Sequence, residues 1–161
     1  MRILAIVVLL ATIAGAGVVL YGLNTLSPKV VQTSVVVTPA TSAADSFDSI
    51  ISQLENGTFG GKICGEADDL RAEDCAFLTY TVRLQNKGFF PAEWISLELT
   101  DAAQDDVLIL PDDSRHVLAV GSMGDIQMTV LNRTNQPDPA RTLRVTCYVF
   151  GQKIVFDVHV S

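Results

Sequence analysis

Catalysis by a hydroxyl or a thiol needs a base within hydrogen-bond reach, and that base is most often a histidine. The chain holds only two, His116 and His159. His116 opens a short apolar run (HVLAV), and His159 fills an alternating slot beside Asp157 in FDVHV. Both read as residues of strand faces. The Gly-x-Ser-x-Gly elbow, the His-Glu-x-x-His pair, the phosphate-binding loop and the Gly-x-Gly-x-x-Gly turn are missing. A non-catalytic protein without a cofactor is expected.

Cysteines and acids are the other chemistry. Cys64 and Cys75 flank GEADDLRAED, while Cys147 sits in an apolar alternating run. The Cys-x-x-Cys and Cys/His spacings of zinc sites do not occur. In an oxidising compartment Cys64–Cys75 is the natural disulfide, closing a short polar loop. The alternative is three free thiols with Cys147 buried. Asp101, Asp105 and Asp106 precede the run VLIL, and Asp112 and Asp113 follow it. Calcium prefers several oxygens from flexible loops. A strand there, at about 3.3 Å per residue, keeps the two sets more than ~10 Å apart, so they do not share an ion easily. Glu66, Asp68, Asp69, Glu73 and Asp74 form a second set. Solvated turn carboxylates are the expectation for both, with no metal.

Phe89, Phe90 and Trp94 are the candidates for contact with a partner, because aromatic side chains anchor many interfaces. In QNKGFFPAEW the two phenylalanines stand at a loop tip, and Trp94 starts the next strand on the face opposite Ile95. The tip either folds under as a core plug or presents an apolar patch to a protein at the cell surface. Asn56-Gly-Thr and Asn132-Arg-Thr fit the glycosylation acceptor pattern.

The elements that position these side chains are mostly strands. Val30 to Thr38 is β-branched nearly throughout and ends at Pro39. From Ala76 onward the period is two: Leu78 to Leu84, Ile95 to Leu99, Val107 to Leu110, Val117 to Val120, Ile126 to Val130, Leu143 to Val149 and Ile154 to Val160. Gly151-Gln152 suits a two-residue hairpin turn with glycine first. Seven closely spaced strands, polar on one face, predict two antiparallel sheets packed face to face. One amphipathic helix is expected over residues 42–56, capped by Ser42, with Phe47, Ile50, Ile51 and Leu54 on one stripe and Asn56-Gly57 at its end. That stripe is expected to lie on the chain's own sheet.

Residues 3–23 carry no charge. At about 1.5 Å per residue such a helix spans roughly 30 Å, the hydrocarbon thickness of a bilayer. Ala14-Gly15-Ala16 would suit a signal peptidase, yet the apolar run continues through Leu23, which favours a retained anchor. The expected organisation is an anchor at 1–23, a spacer at 24–29 and an extracellular domain at 30–161. All 18 acidic residues follow the anchor, against ten of the 11 basic ones, a balance of −8. Such a domain is repelled by phosphate backbones, so nucleic acid is not expected as a partner.

TYTVRLQNKGFFPAEWISLELT, followed by LAVGSMGDIQMTVLN, resembles the adhesion-type modules of prokaryotic surface proteins, of the CARDB and DUF11 kind. The matching positions are Asn86, Gly88, Pro91, Ala92, Leu118, Gly121, Ser122, Ile126, Thr129 and Val130, within residues 76–160. The resemblance implies an immunoglobulin-like sandwich with an extracellular binding or scaffolding role, and it transfers no catalytic residue. The preceding helix, the Cys64–Cys75 loop and the single copy depart from that pattern. The expected function is a membrane-anchored binding or scaffolding domain, possible as an accessory subunit of an envelope assembly. The alternatives are a pilin-like filament subunit, and a calcium-dependent module or atypical enzyme.

Overall fold

Alternation of apolar and polar residues makes a strand two-faced, and two such sheets bury their apolar faces against each other. The computed structural model describes residues 11–17, 27–111 and 116–160. One sheet is ordered β1 (Lys29–Pro39), β3 (Ala76–Gln85), β7 (Met123–Asn132), β5 (Asp106–Ile109) and β2 (Lys62–Ile63). The other is ordered β6 (His116–Leu118), β4 (Ala92–Leu99), β8 (Arg141–Val149) and β9 (Gln152–Val160). Every pairing is antiparallel. Each alternating run of the sequence is a strand, and the protein is mostly β.

Tyr80, Val82 and Leu84 of β3 meet Leu143, Val145, Cys147 and Val149 of β8 in the main core, all nearly inaccessible. Fully burying each valine or leucine among them is worth about 1.5–3 kcal/mol. A second core closes one end of the β1-containing sheet. There Phe47 and Ile50 of helix α1 (Ala44–Glu55), with Ile51 and Leu54 half-buried beside them, pack on Phe77, Val107, Leu108 and Leu131. The helix lies on its own sheet, as its stripe predicts. Gly57 takes φ +67° after it, and its amide donates to the Leu54 carbonyl. Ser42 does not cap the helix: a 3-10 turn, Ala40–Ala43, precedes it, and the N-cap position is Ala43 without a side-chain bond.

Two further expectations are corrected. The β8–β9 hairpin turns at Phe150-Gly151, since Val149 pairs with Gln152. Both turn residues have positive φ, +50° and +74°, the pattern that matches strand twist in a two-residue turn. The Cys64–Cys75 disulfide is not formed, and all three cysteines are free. Cys64 follows β2, its amide donating to the Val107 carbonyl of β5 at 2.8 Å, whereas Cys75 leads into β3. β7 and β5 stand between β3 and β2. Three inter-strand steps of about 4.8 Å separate the thiols by roughly 14 Å, twice what a disulfide bridges.

Residues 11–17 are helical. Among the described residues no helix is long and apolar enough to cross a membrane; most of the 3–23 segment lies outside them.

Candidate functional site

Three connections meet at the end of the sandwich where β1 begins: residues 86–91 between β3 and β4, 119–122 between β6 and β7, and the 150–151 turn. Asn86 ties them together. Buried to 1% exposure, its amide nitrogen donates to the carbonyls of Phe90 (2.8 Å) and Leu118 (3.0 Å). Its side-chain oxygen accepts from the Gly88 amide at 2.9 Å, an Asx turn that reverses the chain before the phenylalanines. The backbone of Asn86 pairs with Ser122 and Gly121.

This frame splits the Phe-Phe tip. Phe90 is half-buried against the main core, while Phe89 is 59% exposed. The Phe90 ring stacks on Phe150, with centroids 4.8 Å apart and planes at 30°. Phe150 is itself 73% exposed. Core plug and apolar patch are thus both present, one ring each.

Trp94 sits in a bulge. Glu93 pairs with Tyr148 and Ser96 with Thr146, so Trp94 and Ile95 together oppose Cys147. The extra residue takes φ +52° and turns the indole outward, 56% exposed, while Ile95 stays in the core. Trp94, Glu93, Tyr148 and Gly151 line a shallow depression on the outer face. Positive φ costs a bulky residue roughly 1–2 kcal/mol. Among the described residues, two of the three non-glycine residues so held, Trp94 and Phe150, are exposed aromatics of this end. Phe89, Phe90 and Trp94 stand at this one end of the sandwich, where Phe90 stacks on Phe150 and Trp94 shares its depression with Tyr148. The hairpin position of Phe150 is the sequence signal for it, one residue before the expected Gly151-Gln152 turn.

No family model matches the chain, and no curated protein matches it.

The polar candidates resolve into structure. Asp106 is buried, accepting from Asn132 (2.8 Å), the Ala103 amide (2.7 Å) and the Arg141 guanidinium (3.1 and 3.2 Å). It locks the other end of the sandwich. Asp112 and Asp113 lie outside the described residues, and among those residues no three acidic, histidine or cysteine side chains form a metal-sized group. Asn132 is buried with its nitrogen donated to Asp106, so the folded chain does not offer that acceptor; Asn56 is exposed.

His159 Nδ1 lies 2.9 Å from the Thr142 hydroxyl, but the two are directly paired residues of β8 and β9 on the outer face. Among the described residues no carboxylate orients that imidazole. Burial raises the pKa of all three thiols, Cys147 up to about 11, which keeps them protonated at neutral pH. What the exposed geometry offers is apolar and aromatic contact at one end.

Proposed function

We propose that the chain is a non-catalytic, membrane-anchored domain held outside the cell, which captures or scaffolds another component of the envelope through its aromatic end. The observation that supports this most is Trp94 and Phe150, two bulky aromatics exposed and held at positive φ beside the exposed Phe89. Strained, exposed aromatics are poor choices for stability alone, and strain of this sort gathers at binding sites. The uncharged residues 3–23 supply the anchor, and the acidic domain that follows fits an exterior position. The antiparallel two-sheet arrangement agrees with the immunoglobulin-like modules that residues 76–160 resemble, whose role is binding or scaffolding.

A photoreactive phenylalanine analogue placed at position 89, and separately at position 101 as a control, tests the reading in intact membranes. Position 89 is expected to give a discrete adduct and position 101 none. Equal labelling, or none at either, removes the aromatic end as a contact surface.

A further inference from the structure

The aromatic end is also the end from which the chain leaves for its apolar N-terminal segment. β1 starts at Lys29, paired with Gln85, and the next residue along β3 is Asn86, which organises the three connections. The five residues 24–28 extend at most roughly 17 Å. A headgroup layer is roughly 5–7 Å deep on each side of the hydrocarbon. With residues 3–23 in the bilayer, this end of the sandwich lies within roughly 17 Å of the hydrocarbon, of which the headgroups take up about 5–7 Å.

Its composition suits that place. Phe89 and Phe150 project from the connections with Val120 and Met123 beside them, all more than half exposed. Trp94 and Tyr148 lie one step further up the outer face. Lys29, Lys87 and Lys153 are exposed around the rim. The segments 86–91, 119–122 and 150–151 contain no acidic residue, while exposed Glu93 lies beside Trp94 and Tyr148. Asp125 nearby is neutralised by a two-point bond from Arg83 at 2.7 Å. The opposite end carries Glu66, Asp68, Asp69, Glu73 and Asp74 before β3, with Asp101 and Asp105 after β4. Apolar tips flanked by tryptophan, tyrosine and lysines are side chains that gather at a bilayer interface, and lysines near an anionic surface gain attraction there.

We infer that the component met by the aromatic end is the lipid surface itself: Phe89 and Phe150 enter the headgroup layer, Trp94 and Tyr148 lie at its outer margin, and the lysine rim pairs with anionic headgroups. This rests on the anchored reading above and names the occupant of the same surface. A protein occupant would have to fit between the tip and the bilayer within the reach of five residues.

Trp94 is the only tryptophan, so it reports its own surroundings. The full chain is reconstituted into vesicles of equal parts phosphatidylcholine and phosphatidylglycerol, with and without acyl chains brominated close to the glycerol. The expected result is a blue-shifted Trp94 emission that loses intensity in the brominated vesicles. Phe89→Asp with Phe150→Asp is expected to restore the intensity. Lys87→Glu with Lys153→Glu, both on the exposed rim, is expected to restore it without touching a packed side chain. Flotation of the same vesicles reports the anchor separately. A chain that floats with unquenched Trp94 overturns the lipid contact and leaves the anchor standing; a chain that does not float overturns both.

Discussion

Asn86 holds by itself what the two sheets cannot hold by packing. Three hydrogen bonds from one buried amide fix the loop that splits Phe89 from Phe90. Asn86→Ala leaves the Phe90 and Leu118 carbonyls and the Gly88 amide unpaired. The expected cost is about 2–3 kcal/mol of stability in chemical denaturation, with a less ordered Phe90–Phe150 stack in near-ultraviolet dichroism. Wild-type stability in that variant would show the bonds to be replaced by water without loss. Asn86 and Gly88 are legible as turn residues from sequence, because an Asx turn is local. Its bond to Leu118 is not, since the partner is 32 positions away. The same holds for Asp106, which looks like a loop carboxylate until Arg141, 35 positions on, closes over it. Phe150 was hidden for another reason: a turn with positive φ at both residues favours asparagine, aspartate or glycine first, and a phenylalanine at φ +50° is tolerated here by its stack on Phe90.

Strand identity was readable from alternation and, for β1, from β-branched residues, which together cover eight of the nine strands among the described residues. β2, two residues long, has no period to read, and its place beside β5 determines where Cys64 goes. Two strands between the cysteines forbid the bond that their short sequence separation invites. Alkylation followed by intact mass tests this at the level of the sheet. Without reductant, one adduct is expected on the native protein, at half-buried Cys64, and three after denaturation. A bond between Cys64 and Cys75 would instead leave a single reactive thiol in the denatured chain. The bulge in β4 was equally unreadable, because Trp94 keeps the sequence looking regular while Ile95 takes the inward slot.

Across the whole molecule, ionisation limits stability on both sides of neutrality. The Arg83 bond to Asp125 and the Arg144 bond to Asp157 hold those carboxyls below their ordinary 3.8. Their contribution is present above about pH 4, is lost as pH falls through the folded values, and is screened by salt because the pairs are exposed. Burial pushes Cys147 from 9.0 to about 11 and Tyr80 from 10.0 to about 12. The unfolded chain releases those protons first, so stability is full below pH 9 and declines as pH rises towards 11 and 12. Melting temperature is expected to be flat between about pH 5 and 8 and to fall on each side. Cys147→Ala is expected to make the first part of the alkaline fall shallower; an unchanged profile would place that proton elsewhere. The direction of β1 has a mechanical meaning as well. In the anchored reading proposed above, the strand receives the tether at Lys29 and runs away from it to Pro39, paired with β3. Tension between the tether and the distal end of the domain is drawn parallel to the strands, so the β1–β3 bonds are loaded together in shear rather than peeled one at a time. On that reading the domain stays folded under a pull from its proposed attachment.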